Sequence, residues 1–160
     1  MNMELDETFM REALRLAVKA RAADEVPVGA VVVREGKVIS RGYNQVELLK
    51  DATAHAEMLA LTAAEAAVGD WRLTDCDLYV TKEPCPMCAG AIVHTRIRRV
   101  IFGCLDNRAG AAGTVMNLLQ HDALNHKTLI TSGVLQNECA AILQDFFRKK
   151  RAQPDDPSDL

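Results

Sequence analysis

Two short segments hold residue types that could do chemistry together: His55-Ala56-Glu57 and Pro84-Cys85-Pro86-Met87-Cys88. On a helix, residues three apart share a face. Proline suits the first helical position, where its missing N–H is not needed. A helix opening at Pro86 would therefore put Cys85 at its cap and Cys88 one turn in. The partial positive charge of a helix N-terminus favours thiolates, and thiolates are strong zinc ligands. His55 offers a neutral imidazole as a third ligand. Two thiolates and one imidazole balance the charge of Zn²⁺ and leave a fourth position for water, the pattern of a catalytic rather than a structural zinc. Zinc brings the pKa of such a water to about 7, so a nucleophile is available at neutral pH.

Glu57 fits beside this set as a proton shuttle and not as a ligand. Residues two apart on a regular helix diverge by about 200°. His55 and Glu57 can meet at one site only if the helix begins around them, which the loop before Ala54 allows. Glu57 would then take a proton from the water, protonate a ring nitrogen, and later protonate a departing amine.

Competing readings exist for each half. A lone C-x-x-C also serves as a structural zinc knuckle or a redox pair. A structural site needs a fourth Cys or His, and the spare residues His94, His121 and His126 have no paired ligand spacing; they read as surface or loop residues. A redox pair leaves the H-x-E unexplained. A non-catalytic zinc module or RNA-binding subunit should have lost the shuttle carboxylate, and Glu57 is present. Together, H-x-E and P-C-x-x-C form a recognised signature of zinc nucleobase deaminases, and that recognition goes beyond what spacing alone gives.

The surrounding elements must bring these segments together. Phe9, Ala13, Leu16, Ala17 and Ala20 recur at helical spacing, so residues 7–21 read as an amphipathic helix. β-rich runs at 30–34 and 38–43 flank Glu35-Gly36-Lys37, a hairpin signal. Residues 44–53 read as a polar loop, 54–68 as an alanine-rich helix, 76–81 as a strand and 86–95 as a helix. A strand at 100–103 precedes a Gly-Ala loop over 105–113, which leads into a short helical turn near 116–119. A last strand is expected at 129–132 and a C-terminal helix at 137–150. Strands alternating with helices after an opening hairpin indicate an α/β layered sheet.

The 160 residues fit one domain, expected over 1–151, with a disordered tail over 152–160. Apolar residues make up 49% of the chain, enough for a sizeable core. The acidic, polar N-terminus is unlike a secretory signal, and no run approaches a membrane helix. Five cysteines without a signal suggest a reducing compartment, and the odd number rules out complete internal pairing. Cys76, Cys104 and Cys139 lie among apolar or small residues and read as core. A net charge of −3 neither announces nor excludes nucleic-acid binding.

Beyond the zinc signature, the chain resembles the bacterial tRNA-specific adenosine deaminases from about residue 9 to residue 151. The segments that carry the likeness are EVPVGAV (25–31), RGYN (41–44), TAHAE (53–57), EPCPMCAGA (83–91), RVIFG (99–103), GAAGTVM (110–116), Asn125-His126 and DFFR (145–148). GAAGTVM and DFFR point to the tRNA enzymes in particular. The resemblance implies a three-layer α/β/α, cytidine-deaminase-like fold with a central five-stranded mixed sheet flanked by helices. It implies one Zn²⁺ per chain on His55, Cys85 and Cys88, and Glu57 as the shuttle. It implies that Asn44 and the Ala56 backbone hold a flipped base, with Asp106 near the flanking nucleotides. The implied reaction converts the wobble adenosine of a tRNA anticodon to inosine, in a cytoplasmic homodimer.

Two positions depart from the family pattern: Ala52 stands where proline is frequent, and Lys82 where an apolar residue is usual. Lys82 could touch RNA phosphate, and Phe147, Arg148, Lys149, Lys150 and Arg151 at the end of the chain's last helix could bind RNA. Simpler readings stand beside these. Asn44 could close a turn, Asp106 could cap a loop, Phe146 and Phe147 could both be core, and RKKR could be a solvated helix end suited to the helix dipole. A small-molecule deaminase of the same fold, acting on guanine or a cytidine-type nucleotide, would use the same zinc ligands.

Overall fold

The structure, a computed structural model, describes residues 2–153. The near-continuous apolar run of β1 (Gly29–Arg34) is what a strand covered on both faces requires. It lies inside a five-stranded sheet with β2 (Lys37–Tyr43), β3 (Cys76–Lys82), β4 (Arg99–Cys104) and β5 (Leu129–Thr131), in the order β2-β1-β3-β4-β5. β1 pairs antiparallel with β2 and β3, while β3–β4 and β4–β5 are parallel. All five expected strands are present, each within one or two residues of its expected bounds.

Helices cover both faces. A Cβ on Gly29 would come within 2.0 Å of the Ala13 carbonyl on α1 (Met3–Ala22), and one on Gly42 within 2.4 Å of the Ala56 carbonyl on α3 (Ala56–Val68). Ala30, not Gly29, is registered against Gly42, so the two close approaches lie on opposite faces. The absence of side chains there lets the two helices sit directly on the sheet. α5 (Gln136–Ala152) shares the face of α1, tied by the Lys150–Asp24 ion pair at 2.8 Å. α4 (Pro86–His94) makes the crossover between the parallel strands β3 and β4. Across the α1 face, Asp6 accepts from Tyr79 (2.7 Å) and from Arg99 (2.8 and 3.0 Å), fastening the helix to β3 and β4. Cys76, Cys104 and Cys139 are buried as expected.

Four local expectations are corrected. α1 begins at Met3, ahead of the expected residue 7, because Asn2 Oδ1 accepts the N–H groups of Glu4 and Leu5 at 3.0 and 3.3 Å and caps the helix there. Inside the expected loop over 44–53, a four-residue helix α2 (Val46–Leu49) forms. The expected helical turn at 116–119 is instead a loop closed by a single bridge between Ala112 and Asn117; the N–H groups of Val115 and Met116 both return to the Gly110 carbonyl and do not propagate a helix. Ala152 ends α5 and does not open the tail, and residues 154–160 lie outside the described residues.

Candidate active site

The C-terminal end of β3 and the first turns of α3 and α4 meet at one point. Cys85 caps α4 in an extended conformation, Pro86 takes the first helical position, and Cys88 follows one turn in. His55 caps α3, also extended (φ −72°, ψ 153°), so the helix starts where the sequence required. The His55 Nδ1 atom lies 3.6 Å from Cys85 Sγ and 3.5 Å from Cys88 Sγ, and one donor atom from each of the three lies within 4.8 Å of the others. A tetrahedral zinc with ordinary Zn–S and Zn–N lengths places such atoms about 3.6 Å apart. The donor set and its spacing therefore fit zinc, with one coordination position not supplied by these residues.

The electrostatics agree with a metal-binding pair of thiols. The hydrogen bond from Cys88 brings the Cys85 thiol down to about 4, with His55 helping, although burial opposes it. The same bond, burial and the nearby Glu57 charge push Cys88 up. One thiolate is thus ready, and metal uptake must displace the other proton. The Cys85 hydrogen bond also raises His55 above its ordinary value.

Glu57, in the first turn of α3, is only 4% exposed. Burial raises its carboxyl above the usual range, against the opposing pull of a backbone hydrogen bond and of His55. A carboxylate that takes up protons readily, next to a zinc-ligand set, is suited to carrying them.

These groups open into a cavity of about 310 Å³, whose walls include Glu25, Val26, Val28, Asn44, Ala56, Lys82, Glu83, Asp106 and Phe147. Asn44 donates its Nδ2 to the Val26 carbonyl at 3.2 Å, while its Oδ1 is the one buried side-chain N or O atom without a partner among the described residues. Ala56 is the first residue of α3, where a helix leaves its N–H groups without intrahelical partners. Asp106 does cap a turn, its Oδ1 accepting from Arg108 (2.9 Å) and Ala109 (3.1 Å), and its Oδ2 meets Lys82 Nζ at 3.2 Å on the cavity wall. Phe146 is buried, whereas Phe147 is 40% exposed and lines the cavity.

The cations of α5 are placed elsewhere. Arg148, Lys149, Lys150 and Arg151 are exposed and do not line this cavity. Arg148 and Lys149 pair with Asp145, and Lys149 and Lys150 border a separate depression with Arg21 and Phe146. Two buried carboxylates of the wall escaped the sequence reading, Glu25 and Glu83, although both stand in motifs that carry the resemblance. Glu25 accepts the Glu47 N–H at 2.6 Å and so fixes the start of α2 beside the cavity.

The family model for the cytidine and deoxycytidylate deaminase zinc-binding region matches residues 3–104. The tRNA-specific adenosine deaminase of Bacillus subtilis (strain 168) is 49% identical over 149 residues, 93% of this chain and 92% of its own. The chain belongs to the zinc-dependent tRNA-specific adenosine deaminase family. Among solved structures, a tRNA:A34 deaminase studied for A-to-I editing at the wobble position superposes with a TM-score of 0.82 at 43% identity, over 85% of this chain and 99% of that one. A guanine deaminase from Nitrosomonas europaea superposes at 0.77 with 27% identity, over 88% and 83%. The fold is thus cytidine-deaminase-like, and the expected zinc dependence is that of the family. No helix among the described residues is long and apolar enough to cross a membrane.

Proposed function

We propose that this protein hydrolyses the wobble adenosine of a tRNA anticodon to inosine, releasing ammonia, with residues 1–151 acting as one deaminase domain. The observation that carries the reading is the juxtaposition of a buried proton carrier, Glu57, with the cluster of His55, Cys85 and Cys88 beside a cavity lined by Asn44, whose buried amide oxygen lacks a donor. Identity to the adenosine deaminase relative is also much higher than to the guanine deaminase.

His55, Cys85 and Cys88 would hold zinc, which would supply a water that is nucleophilic at neutral pH. Glu57 carries protons from the attacking water to N1 of the purine, and then to the amino group as the C6–N6 bond breaks. Water and adenosine are consumed; inosine and ammonia leave. Asn44 and the Ala56 backbone orient the base, which must be unstacked from the anticodon loop to reach the cavity. Asp106, Lys82 and Phe147 line the wall where the flanking nucleotides would pass, Phe147 offering a ring for stacking. Arg148, Lys149, Lys150 and Arg151 lie further along α5, where they would meet RNA phosphate.

The protein would act in the cytoplasm, where tRNA is available, and as a homodimer. Leu48 and Leu49 on α2, Val115 and Met116 are exposed apolar side chains that a second copy would cover, and light scattering of the purified protein tests this. The test of function is incubation with an adenosine-34 anticodon stem-loop, and separately with free guanine, adenosine and cytidine. Inosine in the stem-loop supports the reading. Turnover confined to free guanine or cytidine overturns it in favour of a small-molecule deaminase.

A further inference from the structure

Glu83 is 2% exposed, yet none of its hydrogen-bond partners is a cation. Its carboxylate accepts the backbone N–H groups of Asp106 (3.1 Å), Ala112 (3.0 Å) and Thr114 (3.1 Å), and the Thr114 hydroxyl as well. Four donors from one loop thus converge on one buried anion. A carboxylate is acceptor-only when ionised and takes about four such bonds, so its capacity is filled. Bonds of this kind to a charged acceptor are stronger than neutral ones.

The loop is shaped around the carboxylate. A Cβ at Gly110 would stand 2.5 Å from the Glu83 carboxyl and 2.5 Å from the Asp106 carbonyl, so no other residue fits without displacing them. Neighbouring bonds extend the tie. Ala111 donates to the Pro84 carbonyl at 2.8 Å, and Glu83 itself donates to the Cys104 carbonyl at 2.9 Å. Glu83 is two residues from the zinc ligand Cys85, and Lys82, on its other side, pairs with Asp106. One short stretch therefore bears the loop anchor, a metal ligand and the wall cation together.

We propose that Glu83 is a positioning residue for substrate: it folds the 105–114 loop about its carboxylate and thereby holds Asp106 and Lys82 on the cavity wall at a fixed distance from the metal site. The proposal rests on the deaminase reading above and adds the residue that sets the geometry of the substrate wall. Glu83 acts through Asp106, whose N–H it accepts at 3.1 Å.

The test uses full-length, zinc-loaded protein and the anticodon stem-loop. Glu83→Gln turns an acceptor towards a donor, since a side-chain NH₂ then faces backbone N–H groups. Its KM should rise about tenfold or more, with zinc content unchanged and kcat within about threefold. Asp106→Asn should raise KM in the parent and add less than about twofold in the Glu83→Gln background, because residues in one network are not additive. Thr114→Val removes only the hydroxyl bond, so it tests the same tie if Glu83→Gln fails to fold, and it should raise KM about threefold with kcat unchanged. A parental KM in both variants, an equal fall in kcat and zinc content, or full additivity with Asp106→Asn would each overturn the proposal. The parent's own rates on stem-loop and on guanine test the substrate reading separately. The KM ratio of variant to parent, taken on whichever substrate turns over, tests Glu83 alone.

Discussion

His55 caps the helix in whose first turn Glu57 stands, and this lets two residues that a regular helix would point apart serve one site. The cap residue is extended, so its imidazole reaches Cys85 and Cys88 at 3.6 and 3.5 Å, while Glu57 is buried beside them. The proposed ligand and the proposed shuttle are thereby divided between a cap and a helix, and substitutions should separate them.

Glu57→Ala should retain about one zinc per chain and the parental fold, but lose about 10²–10⁴-fold in turnover, the range for a general acid–base group. Cys88→Ser, by contrast, should lose metal and activity together, because it removes one of three protein ligands. Elemental analysis beside inosine formation reads both. A Glu57→Ala protein within threefold of the parental rate would remove the shuttle from the mechanism.

Much of this centre was legible in the chain because the spacing of P-C-P-x-C encodes a helix start, and a helix start is a local property. The core cysteines and the strands were legible for the same reason, through short apolar runs. Glu25 and Glu83 were not. A carboxylate is rarely fully buried unless partnered, and their partners, the Thr114 hydroxyl apart, are backbone N–H groups lying 22 to 31 positions further along the chain. Backbone donors leave no residue type to recognise. α2 escapes a sequence reading because four residues are too few to display a helical period. The segment at 116–119 departs from a helical turn because its backbone donors reach back six and seven residues, Met116 to the Gly110 carbonyl and Leu118 to the Ala111 carbonyl.

Asn44→Ala should weaken base recognition while leaving zinc in place. Asn44 lines the cavity of about 310 Å³, is 9% exposed, and has a buried Oδ1 without a partner. A hydrogen bond made there by substrate is worth about 1–3 kcal/mol, roughly fivefold to 150-fold in kcat/KM. Steady-state rates on the stem-loop measure it. Unchanged rates would reduce Asn44 to the closure of a turn through its bond to Val26.

Asp6 should make stability depend on acidity. Burial alone would raise its carboxyl, but hydrogen bonds from Arg99 and Tyr79, with the Arg99 charge, outweigh burial and hold it below the usual carboxylate value. A group lowered in the folded state stabilises above its unfolded value, about 3.9 for Asp, and that contribution disappears as pH falls through the folded value. Asp6→Asn should therefore cost about 3 kcal/mol near neutrality, the scale for breaking a buried ion pair. The gap to the parent should narrow below about pH 4. Urea unfolding at neutral and acid pH checks this, and a gap independent of pH would mean that the loss is one of packing and not of charge.

The end of α5 tests how a chain of net charge −3 holds RNA. Arg148, Lys149, Lys150 and Arg151 follow directly on Phe147, which already lines the cavity. Residues three and four apart share a helix face, so Lys150 and Arg151 lie one turn beyond Phe147. A base stacked at the ring would thus have its neighbouring phosphates near the cations, the arrangement that suits an unpaired loop. Three of these cations are partly occupied, Arg148 and Lys149 by Asp145 at 2.8 and 3.2 Å and Lys150 by Asp24 at 2.8 Å. These ion pairs are exposed enough for a phosphate to compete with them. Lys149→Ala, Lys150→Ala and Arg151→Ala combined should raise KM for tRNA and leave zinc content unchanged. The dependence of log affinity on log salt should become shallower by about 0.7 for each phosphate of single-stranded RNA that is no longer neutralised. Phe147→Ala should instead raise KM by about 1–3 kcal/mol of forfeited stacking with the salt slope preserved. Filter binding across a salt series separates the two effects. If the triple variant keeps the parental affinity and slope, the cluster is a solvated helix end, and phosphate binding belongs to Lys82, Arg96, Arg98 or Arg108.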